Sequence, residues 1–285
     1  MNTKPIGKLD ARTGDTALVT MHERICRRLL DRGSEPADRR EDDVLVGSYH
    51  PDAVAMAVEN WGHRTFHEHR SAAVFSNLLP QLMEAEAPME VKTAVLRSSL
   101  DELRHAELSA EVVEFLGGDP VYPADLTPEV PAKHDGIPAL ERAFRNTLFV
   151  GCLSETVAVG LLTEEREMCR EPYIKRVIQQ LLSDETLHAR VGWVYVQHVW
   201  PTLDADARQR TKDYLPRALA YFERCTLDTA PIQYCDPAIL DDAVALGFSD
   251  SRAARDIFDM TVDEVIVPRF QEIGLDPGNW RDTCA

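Results

Sequence analysis

A six-residue pattern that occurs twice constrains this chain more than any other feature. Residues 101–106 read Asp-Glu-Leu-Arg-His-Ala and residues 184–189 read Asp-Glu-Thr-Leu-His-Ala, so both follow Asp-Glu-x-x-His-Ala. One Glu-x-x-His match would mean little in 285 residues, but two longer matches in segments of helical periodicity indicate an internal repeat. Residues three apart share a helix face, so the Glu and His of each copy can converge on one metal ion.

Each copy of the pattern follows a helical segment that carries a Glu on its apolar stripe. Glu68 lies on the stripe of residues 51–82, and Glu155 lies on the stripe of residues 148–162. These two residues precede the Glu of the next pattern by 34 and 30 residues, respectively. The candidate metal ligands are therefore Glu68, Glu102, His105, Glu155, Glu185 and His188.

The chemistry of these six residues favours a metal site over a purely structural cluster. Burying four carboxylates beside two imidazoles is costly unless cations compensate the charge. Carboxylate and imidazole donors suit iron or manganese, whereas thiolate metals prefer cysteine. The six cysteines are scattered without a Cys-x-x-Cys pair, and Cys152, which lies near Glu155, is interpreted as a small buried apolar residue.

The helical periodicity predicts an all-α chain in which two hairpins of long helices form the centre. Pro51, Pro138 and Pro172 stand at the first-turn position that proline favours, and Gly117 supplies a C-terminal stop. A proline-rich extended connection over 119–135 separates the hairpins, and no strand is expected. The predicted helices cover residues 15–30, 51–82, a stretch ending at 116, 138–170, 172–200, 205–224 and 251–272.

Composition and charge bear on partners and location. A net charge of -17 disfavours nucleic acids and anionic membrane surfaces, because those partners are held by dense Lys and Arg. The first twenty residues lack the apolar centre of a secretory signal, and no later segment approaches the roughly 20 apolar residues that cross a bilayer. We therefore expect a cytoplasmic protein with no nucleic-acid or membrane partner.

The quoted residues resemble the ferritin-like di-iron carboxylate superfamily. Its members include bacterial multicomponent monooxygenase hydroxylases, the ribonucleotide reductase small subunit, acyl-carrier desaturases and rubrerythrins. The resemblance covers about residues 51–200. It implies a ferritin-like four-helix bundle at 51–200. Chain length is consistent with a single domain over 1–285, and the helical pattern adds an N-terminal helix and linker at 1–50 and a C-terminal helical extension at 201–285.

The resemblance also implies roles for individual residues around two iron ions, with manganese or a mixed pair as alternatives and O2 as co-substrate. Asp101 should accept a hydrogen bond from His188, and Asp184 should accept one from His105. The implied ligand roles are Glu68 and His105 as terminal ligands of one metal, Glu155 and His188 as terminal ligands of the other, and Glu102 and Glu185 as bridges.

Departures from better-known members leave a minimal set of six ligands. Ser109 stands where the reductase subunit carries its radical tyrosine, and Val159 stands where hydrocarbon hydroxylases carry a threonine. The extra Glu of rubrerythrins and the extra His of arylamine N-oxygenases are absent at Ala158 and Leu181. The three nearby histidines at 63, 67 and 69 point in diverging helical directions and are not expected to form a further metal site.

The leading expectation is a non-haem di-iron oxidase or oxygenase that activates O2 to oxidise a small organic substrate, with an external electron donor and a homodimeric assembly. Small residues near the site, Ser98, Ser109, Gly151 and Gly192, are expected to leave room for oxygen and substrate. One alternative is a ferroxidase, peroxidase or catalase-like protein that acts on iron or peroxide. A second alternative is a non-catalytic, metal-stabilised interaction protein.

Overall fold

The computed structural model describes residues 7–10, 40, 43, 47, 49–227 and 236–284, and its architecture is all-α. The helix predicted over 15–30 lies outside the described residues. The helices are α1 (Pro51–Glu84), α2 (Met89–Phe115), α3 (Ala139–Thr147), α4 (Glu155–Met168), α5 (Pro172–Val199), α6 (Ala205–Leu227), α7 (Pro237–Ala245), α8 (Ser251–Thr261) and α9 (Val267–Glu272).

Two π-helical segments interrupt stretches that the sequence predicts as continuous α-helices. Leu148–Ser154 joins α3 to α4, and Val262–Ile266 joins α8 to α9. Short 3-10 segments at Trp200–Thr202 and Trp280–Cys284 follow α5 and α9. The predicted long helices are otherwise confirmed to within a few residues.

A short antiparallel strand pair corrects the expectation of no strands. Strand β1 (Gly7–Asp10) pairs with β2 (Val121–Ala124), and Gly7 is opposite Ala124. Strand β2 lies in the stretch predicted as an extended connection. Pairing needs a partner strand more than 100 residues away in sequence, so the local pattern of either segment does not reveal it.

Local sequence sets the ends of the central helices. His50 accepts a hydrogen bond from the Asp52 backbone amide at the start of α1, where Pro51 occupies the first turn. Pro172 plays the same part in α5. Gly117, with φ of 84°, adopts the left-handed conformation that commonly ends a helix, directly after α2.

The central helices pack as two hairpins. Helix α1 lies along α2, and α4 with the preceding π segment lies along α5. The hairpins meet where α2 contacts α5 and where α1 contacts α3. The C-terminal helices cover this core, because α7 contacts α1 and α8 contacts α4.

The stretch Ala139–Met168 corrects the expectation that no segment is apolar enough to span a membrane. Its length and composition pass that test, but core helices of soluble proteins pass it as well. Within this helix, 61% of the most apolar window is buried inside the protein. Its apolar character is therefore explained by its central place between α5 and α8.

Two hydrophobic clusters fill the core, and the candidate ligands lie at the level between them. One cluster includes Phe75 and Val95, and the other includes Trp61 and Leu108. Along α1, Glu68 falls between Trp61 and Phe75. Along α2 and α5 the ligands likewise fall between residues of the two clusters, so the polar layer has apolar packing on both sides.

Candidate metal centre

The structure brings all six predicted ligands into one buried cluster. Four of their donor atoms, from Glu68, Glu102, His105 and Glu185, lie within 4.8 Å of one another. A second group of four with the same spacing contains Glu102, Glu155, Glu185 and His188. The two groups share Glu102 and Glu185, and this set of acidic and imidazole groups is positioned to bind a metal.

Both imidazoles present the same nitrogen to the carboxylates. His105 Nδ1 lies 3.1 Å from Glu185 Oε1 and 3.8 Å from both Glu68 Oε2 and Glu102 Oε2. His188 Nδ1 lies 3.0 Å from Glu185 Oε2 and 3.3 Å from Glu102 Oε1. The ring centroids are 5.9 Å apart, so the two nitrogens face a common space.

His188 Nδ1 also lies 3.6 Å from Glu155 Oε2. Glu68, with a side chain 15% exposed, is the least buried of the four carboxylates. Its counterpart Glu155 is 8% exposed, and the two imidazoles are fully buried. The cluster is therefore somewhat more accessible to solvent at Glu68 than at Glu155.

The opposite nitrogen of each imidazole contacts an aspartate from the other copy of the repeat. His105 Nε2 is 3.3 Å from Asp184 Oδ2, and His188 Nε2 is 3.3 Å from Asp101 Oδ2. An aspartate in this position holds the proton on Nε2 and leaves the Nδ1 lone pair directed into the cluster. This crossed arrangement is the one that the superfamily resemblance implies.

Burial and mutual repulsion oppose full ionisation of the carboxylates. Burial, reinforced by the neighbouring Glu185 carboxylate, raises the pKa of Glu102 to about 7. The same two causes raise the pKa of Glu155 well above its usual value. Burial would raise the pKa of Glu185, but the positive charge of His188 and the contacts with Glu155 and His105 outweigh burial and hold that pKa well below its usual range.

The imidazoles show the complementary effect. Burial alone would lower the pKa of His105, but its contacts with Asp184 and the surrounding carboxylates raise it well above 6.5. Glu185 and Asp101 likewise raise the pKa of His188 well above 6.5 against the opposing effect of burial. Without a cation, the cluster therefore balances its buried charge by holding protons on imidazoles and carboxylates.

Two buried donor atoms in the cluster have no hydrogen-bond partner among the described residues. They are Glu102 Oε2 and His105 Nδ1. Buried polar atoms are nearly always satisfied, so these two atoms, which lack a hydrogen bond and face a shared space, fit the coordination of a cation. The donor set and the unpaired atoms agree that this cluster could hold a metal ion.

The structure also reveals supporting residues that the sequence reasoning did not identify. Arg97 Nε lies 2.6 Å from Asp101 Oδ1, and Gln180 Nε2 donates to Asp184 Oδ2 at 2.7 Å. Arg64 donates to both carboxylate oxygens of the buried Glu165. Helical i,i+4 spacing was the available signal for Arg97 with Asp101 and for Gln180 with Asp184, whereas the partner of Arg64 lies 101 residues away in sequence.

Two of the small residues expected to leave room near the site instead contact each other. A Cβ atom added to Gly151 would lie 2.6 Å from Gly192 Cα, and one added to Gly192 would lie 2.5 Å from Gly151 Cα. The glycines let the π segment and α5 approach at backbone distance. They therefore close the space beside Glu155 and His188 and do not open a pocket there.

The nearby histidines and Cys152 lie outside the two potential metal groups. His63 and His67 are exposed, and none of the three histidines at 63, 67 and 69 joins a potential metal group within the described residues. Cys152 is fully buried in the apolar core. A pocket at the far end of α4, lined by Leu161, Phe248 and Ile257 among others, contains none of the six candidate ligands.

Comparisons with known proteins add no identification. No family model matches the sequence, and no curated protein matches it.

Proposed function

We propose that this chain is a non-haem di-iron oxidase or oxygenase built on a ferritin-like four-helix bundle. The observation that carries the proposal is the pair of overlapping donor groups, which share Glu102 and Glu185. Two adjacent ions would each have one imidazole and one terminal carboxylate, with the shared residues as bridges. Glu68 and His105 would serve one ion, and Glu155 and His188 the other.

Charge balance favours two divalent ions over one. Four ionised carboxylates carry four negative charges, and two divalent ions with neutral imidazoles cancel them. A single divalent ion would leave two negative charges uncompensated in a buried site, which is costly unless protons replace the missing cation. Iron and manganese both accept this donor set, so the metal is assigned to iron as part of the proposal.

The protein residues contribute orientation and exclusion of water. Asp101 and Asp184 hold the Nε2 proton of each imidazole, and the apolar clusters above and below enclose the ligands. The chemistry that a bound ferrous pair supplies is reduction of dioxygen coupled to oxidation of an organic molecule, with an external donor restoring the electrons.

Oxygen uptake by the ferrous-loaded protein tests this function. We expect sustained O2 consumption, without peroxide release, only when both a reductant and an oxidisable small organic compound are present. Glu102→Ala should abolish that consumption, whereas the exposed Glu164→Ala should retain it. O2 uptake that tracks added ferrous iron and ignores organic compounds would favour a ferroxidase instead, and an inert protein would contradict the proposal.

A further inference from the structure

The two aspartates behind the imidazoles share a guanidinium. Arg97 Nε lies 2.6 and 2.8 Å from the two carboxylate oxygens of Asp101. A terminal nitrogen of the same side chain lies 3.8 Å from Asp184 Oδ1. Arg97 therefore reaches both members of the crossed aspartate pair, although it belongs to only one helix.

The position equivalent to Arg97 in the second repeat carries no charge. Gln180 stands four residues before Asp184, as Arg97 stands four residues before Asp101. Its amide donates to Asp184 Oδ2 at 2.7 Å, and its Oε1 atom has no hydrogen-bond partner in the described part of the chain. The second half thus receives an amide hydrogen bond from its own helix and a cationic contact from Arg97.

The orientation of both imidazoles depends on the contacts that Arg97 makes with Asp101 and Asp184. Each aspartate offers an oxygen 3.3 Å from one His Nε2, and that contact determines where the Nδ1 lone pair points. The two Asp101 oxygens share the Nε–H of one planar guanidinium, and this short charge-assisted contact restricts rotation of the carboxylate.

We propose that Arg97 is a positioning residue for the metal centre, which holds Asp101 and Asp184 so that His105 and His188 both direct Nδ1 at the metals. This inference rests on the proposed metal binding but not on the oxygen chemistry. In this role Arg97 acts on the two imidazoles through the two aspartates.

Cobalt(II) titration, followed by visible absorption, tests the role without any turnover. We expect Arg97→Ala to weaken cobalt binding by roughly tenfold, the low end of the range for residues that orient metal ligands. The cobalt bands at saturation should also change shape, because the imidazoles lose their fixed orientation. Arg97→Gln keeps a donor near Asp101 without the charge or fork, and we expect it to weaken binding in the same direction.

Arg104→Ala is the matched control. Arg104 belongs to the same helix and is 18% exposed, against 23% for Arg97, but it pairs with Glu107 and Glu111. We expect this variant to bind cobalt with wild-type affinity and band shape. Because Arg97 is partly open to solvent, millimolar ethylguanidinium should restore part of the affinity of Arg97→Ala and leave Arg104→Ala unaffected.

The outcomes separate this inference from the proposed function. Wild-type affinity and spectrum in both Arg97 variants would overturn the role of Arg97 while leaving the metal centre intact. An equal loss in Arg104→Ala would also overturn it, because the effect would then be general to this helix. A wild-type protein that binds no cobalt would overturn both the metal centre and the inference.

Discussion

The two halves of the candidate metal centre share a sequence pattern but are supported in different ways. Four residues before Glu68 stands Arg64, which forms a buried ion pair with Glu165. Four residues before Glu155 stands Gly151, which contacts the backbone of Gly192. The position before Glu68 carries a charged side chain that pairs with α4, and the position before Glu155 carries a glycine at a close backbone contact, so equivalent ligand positions do not require equivalent surroundings.

The positions after each histidine show the same contrast. Ser109 stands four residues after His105, and its buried hydroxyl has no hydrogen-bond partner among the described residues. Gly192 stands four residues after His188 at the backbone contact. The π segment Leu148–Ser154 also precedes Glu155, whereas α1 runs through Glu68 as an uninterrupted α-helix.

The largest expected effect tests whether the halves share their bridging ligands. Glu185 lies 3.1 Å from His105 Nδ1 and 3.0 Å from His188 Nδ1, so Glu185→Ala should weaken both metal sites by more than about 100-fold. Glu68→Ala should leave one site occupied, because Glu68 belongs to only one donor group. Titration with manganese(II), followed by the EPR signal of the free ion, measures the affinity and the number of bound ions in each variant. Retention of one tight site in Glu185→Ala would argue against bridging.

The next effect concerns the ion pair by which Arg64, four residues before Glu68, contacts Glu165 of α4. Arg64→Met leaves the buried carboxylate of Glu165 without its cation, and we expect the free energy of unfolding to fall by about 3 kcal/mol. Urea unfolding of the metal-free protein provides the measurement. Arg170→Met is the control, because its pair with Asp241 is exposed and should contribute less than about 1 kcal/mol. Similar losses in the two variants would show that the first half does not depend on this pair.

The close packing of Gly192 against Gly151 predicts a smaller loss in the free energy of unfolding. Gly192→Ala places a Cβ atom 2.5 Å from Gly151 Cα, so the π segment and α5 must separate, and we expect a cost of about 2 kcal/mol. At the equivalent position of the first half, Ser109→Ala removes an unpaired buried hydroxyl and should be neutral or slightly stabilising. Thermal unfolding midpoints compare the two. A Gly192→Ala variant as stable as wild type would show that the close contact between Gly151 and Gly192 does not contribute to stability.

The smallest expected effect is a change in the alkylation rate of Cys152, which reports how well the packing around Glu155 excludes reagents from solvent. Cys152 stands three residues before Glu155, and burial raises the pKa of its thiol well above 9. Burial likewise raises the pKa of Cys169 to about 12, so at pH 8 only about one thiol in ten thousand would be ionised there. Alkylation of these two thiols should become faster as the pH rises toward their raised pKa values.

Of the three cysteines whose burial the structure describes, we expect the exposed Cys225 to be alkylated first at pH 8 and Cys152 to remain unmodified in the folded wild-type protein. Gly192→Ala should accelerate modification of Cys152 several-fold, because the helices on either side are forced apart. Peptide mass spectrometry after timed alkylation resolves each cysteine. Equal rates for Cys152 and Cys225 in wild type would show that the second half is open.

Features that depend on spacing within one helix could be predicted from the sequence. The Glu-x-x-His pairs and the apolar stripes through Glu68 and Glu155 indicated which residues share a buried layer. Prolines at 51 and 172 and glycine at 117 indicated helix ends, because each acts on the backbone of its own turn.

Features that depend on contacts between different helices or strands could not be predicted from the sequence. The Gly151 contact with Gly192 and the pairing of β1 with β2 require the register of segments far apart in sequence. The reach of Arg97 to Asp184 likewise depends on how α2 meets α5. The π segment before Glu155 is a backbone adjustment that residue periodicity of 3.6 does not encode.

Anaerobic loading with ferrous iron, followed by removal of free metal and quantitation of iron per chain, tests the central claim most directly. The account predicts two irons per chain in wild type, and a stopped-flow visible band on mixing with oxygen. Both should be lost in Glu102→Ala and His188→Ala. No iron uptake, or uptake that ignores these substitutions, would contradict the two-metal centre.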